Sequence, residues 1–216
     1  MSETAKGSTE ISEPSRAQQQ LARRVAESRA TVPDLTLATD VDLEAALALG
    51  APARALVVRA TAVALREQPH VNAAYRDGRF ERYSRVNVAV AIDTPAGVVA
   101  PTIADADTKG LATIAEELAQ LEAAAEQLAA PATAGATSTV HSAAGVRRIV
   151  PLLTPPQAVA IGAGDVQTRA VVRDGAVVAA PAIELTLVCD HRIIYGAIAA
   201  AFLARVRELL ETTDAL

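Results

Sequence analysis

Apolar and polar positions recur with two different periods along this chain. The run Leu35–Leu43 (LTLATDVDL) alternates between them, which predicts a strand with one solvated face. Upstream, Leu21, Ala22 and Val25 fall on one helical face, with Arg16, Arg23 and Arg24 elsewhere, so a helix is expected from an N-cap at Ser15 to about Ala30; Pro33 closes that region. Residues 52–68 repeat the helical spacing through Leu56, Ala60, Val63 and Ala64. Arg85–Ile92 and Val98–Ile103 read as two strands joined by a turn at Thr94–Gly97, where Pro95 and Gly97 supply turn angles. An amphipathic helix with an acidic face follows over Leu111–Ala130. Thr137–His141, Ala158–Ala163, Ala170–Arg173 and Ile183–Cys189 read as strands, and Ala197–Leu210 as a last helix. Strands and helices mix without a regular βαβ repeat, which predicts an α+β fold, a mixed β-sheet flanked by helices. Residues 1–14 are rich in Ser, Thr and Glu without apolar periodicity and are expected to be a disordered tail. Residues 15–216 are expected to form one domain.

Composition narrows the classes. Hydrophobic residues make up 51% of the 216 residues, yet only 2% are aromatic and Trp is absent, so the core must be built from Ala, Val, Leu and Ile. The formal charge of −5 and the lack of a basic stripe argue against a nucleic-acid partner. No run of 18 apolar residues occurs, and the MSETAKGSTE start is polar, so a cytoplasmic protein without membrane attachment is expected. A single cysteine, Cys189, allows no internal disulfide. With three scattered histidines, a metal site is not expected.

The segment carrying chemistry is Val188–Ala197 (VCDHRIIYGA), a buried-strand sequence running into a small-residue helix. A loop there can hold the His191 imidazole in one tautomer, and imidazole takes and returns protons near neutrality. A lone loop histidine is more often a capping or packing residue, so the surrounding sequence decides. Asp190-His-Arg192 followed by Gly196-Ala197 closely resembles the D-H-R-x-x-D-G-A signature of the catalytic domain of dihydrolipoyl acyltransferases, the core subunits of 2-oxo-acid dehydrogenase complexes. The resemblance extends through Ala22–Ser28, Val86-Asn87, Asp93-Thr-Pro95, Pro101–Asp107, Leu111–Leu118, Pro155–Ala158, Val172–Gly175 and Phe202-Leu203. It implies the chloramphenicol-acetyltransferase-like fold and a homotrimer with an active-site channel at each subunit interface. It also implies acyl-CoA (acetyl-CoA foremost) as co-substrate with no bound cofactor, His191 as general base, and an oxyanion-stabilising hydroxyl from the neighbouring subunit. Asp93, Thr139 and Gly196 fall in segments that the resemblance places near substrate, with turn stabilisation the plainer role for Asp93.

The sequence also departs from that family. The family's Asp or Asn four residues after the histidine is Tyr195 here, which can offer only a phenol or line the channel. The family's oxyanion Ser or Thr aligns with His141. Thr139 lies two residues back on the same strand face, and Ser142 is adjacent, so a one-residue slip restores a hydroxyl. No lipoyl domain or swinging linker precedes the domain in this sequence, and Glu211–Leu216 makes a poor apolar anchor between trimers, so an isolated trimer is expected. These departures favour a stand-alone enzyme that acetylates a small-molecule hydroxyl, of the tetronate polyketide type. The alternatives are a dihydrolipoyl acyltransferase serving a lipoyl domain in trans and a non-catalytic core-like scaffold. Cys189 is expected to be a small buried hydrophobe and His70 a surface or capping residue.

Overall fold

The structure, a computed structural model, describes residues 7–95, 97–128 and 135–216. Of the tail expected over residues 1–14, residues 1–6 lie outside this description and residues 8–14 form no helix or strand; the end of the helix expected to reach Ala130 also lies outside it. The element order is α1 (Arg16–Thr31), β1 (Asp34–Asp42), α2 (Glu44–Leu47), α3 (Ala53–Glu67), β2 (Ala73–Arg76), β3 (Arg79–Arg82), β4 (Val88–Val90), β5 (Ile92–Thr94), β6 (Gly97–Val99) and β7 (Thr102–Ile103). Then follow α4 (Leu111–Ala123), β8 (Ser138–Ser142), β9 (Val159–Ala163), β10 (Gln167–Arg173), β11 (Ala176–Asp190) and α5 (Gly196–Thr212).

Ser15 caps α1 as its position predicts. Its side chain accepts from the Gln18 amide while Gln18 Oε1 accepts from the Ser15 amide, a reciprocal pair that satisfies two otherwise orphaned donors. The main sheet runs β1-β11-β9-β8-β4-β7, with β10 pairing the outer half of β11. β9 to β8 and β8 to β4 are parallel and the other pairings antiparallel, so the sheet is mixed. The two strands expected between Arg85 and Ile103 each divide: β4 and β7 join the main sheet, whereas β5 and β6 form a separate hairpin closed at Thr94 and Gly97.

Side chains alternate across the sheet, and the two faces meet different partners. Val140, Val159, Ile161, Leu185, Leu187 and Cys189 join the helical core with Leu56, Leu65, Phe202 and Val206 of α3 and α5. On the other face, Ala160 and Val188 pack with Val32 and Leu153. That second face is crossed by a strap, residues 147–154, tied to α1 by the Ser28 hydroxyl on the Leu153 carbonyl, and the strap lies so close that Gly162 on β9 and Gly164 just past its end have no room for a side chain. A Cβ on Gly162 would overlap the Ile149 carbonyl oxygen, Thr186 Oγ1 and Pro151 Cδ; one on Gly164 would overlap the Arg147 carbonyl. Gly162→Ala is therefore expected to cost about 1–3 kcal/mol of stability, because the strap must lift off the sheet. A urea midpoint unchanged from wild type would show that the strap is not held this tightly.

Candidate active site

His191 sits where β11 ends. Asp190 finishes the strand with its amide on the Ala158 carbonyl, and its own carbonyl accepts from the amides of Ile193 and Ile194, closing a tight turn. The buried Asp190 carboxylate takes the Arg192 amide, Nε and Nη2 at 3.0, 2.9 and 2.6 Å. The same guanidinium donates to the Thr31 carbonyl at the end of α1 and lies 4.5 Å over the ring of Tyr75. One arginine thus ties the histidine turn to α1 and to the β2–β3 hairpin, with the cation–π contact adding to the ion pair. These bonds hold the Arg192 guanidinium above its ordinary pKa, with the hydrogen bond to Asp190 foremost.

The His191 ring is exposed, and its Nδ1 lies 3.0 Å from the Ile194 carbonyl oxygen. A carbonyl only accepts, so Nδ1 carries the proton and Nε2 keeps its lone pair, the tautomer a general base requires. Tyr195 meets the imidazole edge-on with ring centroids 6.0 Å apart. It is 53% exposed and stands at the N-cap of α5 without a side-chain cap, where an Asp or Asn would bond a free helix amide. Gly196 opens α5 and is exposed, with no heavy atom within 4 Å of where its Cβ would be. Beneath the turn, Cys189 is buried; desolvation, with the charges of Asp190 and Asp34, pushes its thiol up to about 12, so it stays protonated.

The other candidates gather on β8. Thr139 and His141 face the strap and line a cavity of about 320 Å³, walled by Leu21, Arg24 and Val25 of α1, by Ala91, Val98 and Ala100, and by the strap from Ile149 to Thr154. The cavity is predominantly apolar, and His141 is its imidazole. Burial pushes the His141 pKa down to about 4 against the opposing pull of the Asp93 charge, so the ring is neutral at physiological pH. Its Nε2 is buried with no hydrogen-bond partner. The Thr139 hydroxyl is engaged, donating to Gln157 Oε1 at 2.6 Å. Ser142 lies on the opposite face of the strand, where its hydroxyl accepts from Arg54 Nε of α3 at 2.6 Å. β8 pairs β9 with His141 opposite Gly162 and Ser142 opposite Ala163, so the register does not slip to bring Ser142 round. Asp93, on β5, is exposed and reaches this site through its charge.

The two histidines occupy different ends of the sheet. His141 stands two strands from Thr186, and His191 lies five residues further on, one past the end of β11, a separation of about 20 Å by strand geometry. One copy of the chain therefore cannot bring both rings to one substrate atom.

The model of the family described as 2-oxoacid dehydrogenases acyltransferase (catalytic domain) matches residues 6–216. The chain belongs to this family. It is 30% identical over 208 residues to the dihydrolipoyllysine-residue acetyltransferase component of the pyruvate dehydrogenase complex of Zymomonas mobilis, covering 88% of this chain and 47% of that protein. The chain thus spans about half the length of this relative, and less of others. Among solved structures, the dihydrolipoamide acetyltransferase of Azotobacter vinelandii superposes with a TM-score of 0.90 at 27% identity, covering 97% of this chain and 94% of that one. It was solved to define the catalytic roles of a serine, a histidine and an asparagine four residues beyond that histidine. The cubic core of the pyruvate dehydrogenase multienzyme complex gives a TM-score of 0.89 at 27% identity, over 99% and 96% of the two chains. Chloramphenicol acetyltransferase shares the fold at a TM-score of 0.54 and 14% identity, covering 93% of this chain and 99% of that one.

The chain thus carries the catalytic-domain pattern of the 2-oxoacid dehydrogenases acyltransferase family on the chloramphenicol-acetyltransferase-like α+β fold. The expectation of a small-molecule hydroxyl acceptor and a free-standing homotrimer is corrected by these comparisons. The relatives are named for a dihydrolipoyllysine acceptor and for a pyruvate dehydrogenase complex, and one solved relative is a cubic core. Tyr195 and His141 depart from the family pattern at two positions, and neither departure specifies another acceptor. No helix among the described residues is long and apolar enough to cross a membrane.

Proposed function

We propose that this acyltransferase exchanges an acyl group between CoA and the thiol of a dihydrolipoyl group, with His191 as general base. The observation that carries this reading is the fixed His191 tautomer, Nδ1–H bound to the Ile194 carbonyl and Nε2 free on an exposed ring. Nε2 takes the proton from the dihydrolipoyl thiol, and the thiolate attacks the carbonyl carbon of acyl-CoA. The tetrahedral intermediate collapses with cleavage of the bond to the CoA sulfur, which recovers the proton from His191. The reverse reaction uses the same steps. Asp190 and Arg192 act by holding the turn, and the Ile194 carbonyl supports the imidazolium formed in mid-reaction. Because the His191 turn and the His141 cavity are about 20 Å apart in one chain, the reading pairs His191 of one copy with the cavity of a second.

Supplied with acetyl-CoA and free dihydrolipoamide, the protein is expected to release CoA and form the acyl-lipoyl thioester. Turnover with an alcohol acceptor and none with dihydrolipoamide overturns the reading.

A further inference from the structure

We infer that the imidazole of His141, rather than any hydroxyl of β8, is the hydrogen-bond donor that stabilises the oxyanion of the transfer; this rests on the acyl-transfer reading above. The three hydroxyls near it are all otherwise committed or turned away. Thr139 gives its proton to Gln157. Ser142 is bound by Arg54 on the helical face. Ser138 shares that face by strand alternation and is buried among the core elements. Of the β8 side chains on the cavity side, His141 alone has a polar atom without a partner, its buried Nε2. An unbonded polar atom at that depth is unusual in a folded protein, and a substrate oxygen arriving in the cavity would complete it.

The surroundings fit a neutral donor. The charged groups that bear on the ring are Arg24 on α1, which lines the same cavity, and Asp93 on β5; the strap from Ile149 to Thr154 contributes no charge. A neutral imidazole offers one N–H and keeps it, so it stabilises the developing oxyanion without joining the proton traffic. His191 takes the acceptor proton and returns it to the departing CoA sulfur, while the proton on His141 stays in place. Ala91 and Ala100, which line the same cavity, are small and leave it room for the His141 ring.

The test has a kinetic arm and a spectroscopic arm. His141→Ala is expected to lower kcat by about 10²–10³-fold with little change in KM for acetyl-CoA, the loss typical of one oxyanion donor. His141→Gln, which puts an amide N–H at a similar reach, is expected to recover most of that loss. The kcat/KM profiles of wild type and His141→Gln should share one shape between about pH 5.5 and 8, because a ring that titrates near 4 adds no limb there. Equal kcat in wild type and His141→Ala, or failure of His141→Gln to exceed His141→Ala while folding normally, overturns the inference. In the second arm, nitrogen-15 imidazole signals of the wild type should show a neutral ring protonated at Nε2, shifting when a ketone analogue of acetyl-CoA is added. A ring that is charged at pH 7, protonated at Nδ1, or indifferent to the analogue overturns it equally. The spectra need no acceptor, so a wild type silent toward dihydrolipoamide sinks the acceptor reading and leaves this arm to decide the donor.

Discussion

His191→Ala is expected to lower acyl transfer by about 10²–10⁴-fold, the contribution of a well-placed general base, while leaving the unfolding midpoint close to wild type. Catalysis should suffer because nothing else near the turn can replace the lost group. The neighbouring Asp190 carboxylate is engaged by Arg192 through three contacts, and the Cys189 thiol is buried and held protonated. Stability should survive because the ring is exposed and makes one hydrogen bond, to Ile194, while the turn itself is closed by backbone bonds from Ile193 and Ile194 to Asp190. His191→Gln keeps a polar side chain of similar reach without a base and should be nearly as inactive. A His191→Ala protein retaining more than about a tenth of wild-type turnover would remove this residue from the mechanism. The same variant also tests the division of the site between copies. Mixed with His141→Ala after reversible dissociation, it should give more activity than either parent, because some assemblies then pair an intact His191 with an intact cavity.

The sequence made the frame of the fold readable where local chemistry and tertiary packing agree. The alternation in Leu35–Leu43 became β1, the N-cap expected at Ser15 caps α1, and the strand entering the His191 turn was placed within a residue of its end. What escaped was set by longer-range packing. The β2–β3 hairpin was missed, although Asp77-Gly78 at its turn, both with positive φ, is a hairpin signal in its own right. Its flanks are only four residues each, and Arg79–Arg82 is charged at three of them; the hairpin is held by Tyr75 beneath Arg192 and beside Phe80. The split of each strand between Arg85 and Ile103 was equally invisible, since a continuous apolar run does not reveal where it changes sheets. In the candidate site, the strand end that carries His191 was legible, whereas which of His141 and Ser142 faces the cavity depended on register. A one-residue slip reverses every side chain on a strand, and only the pairing of β8 with β9 decided it. The strap from 147 to 154, which walls the cavity, had no periodic signal. Its trace in the sequence is the pair Gly162, on the strand beneath it, and Gly164, just past that strand's end.

Glu184→Gln is expected to cost about 2–4 kcal/mol of stability near pH 7, the scale of losing two charge-assisted hydrogen bonds at a buried carboxylate. Glu184 sits in mid-β11 on the strap side and is only 2% exposed, where an unpaired carboxylate would take up a proton. Burial pushes its pKa up, but the hydrogen bonds from Arg148 and Arg147, one to each carboxylate oxygen, outweigh that and hold it below the usual glutamate value of 4.5. Because the folded pKa lies below the unfolded one, this stabilisation is fully present above the unfolded value and is lost as pH falls through the folded one. The difference between wild type and Glu184→Gln should therefore be largest near neutrality and shrink as pH drops below about 4.5. Urea unfolding at several pH values reads it directly, and a gap independent of pH would mean that the carboxylate is not charged in the folded protein. The consequence for activity should be smaller than for stability. Arg147 and Arg148 begin the strap, but Thr186 still binds the Ile149 carbonyl and Ser28 still binds that of Leu153, so the cavity wall keeps two of its anchors when Glu184 loses its charge. Removing all three anchors together, with Thr186→Val and Ser28→Ala added to Glu184→Gln, should free the wall and bring the larger loss of transfer that the single variant lacks.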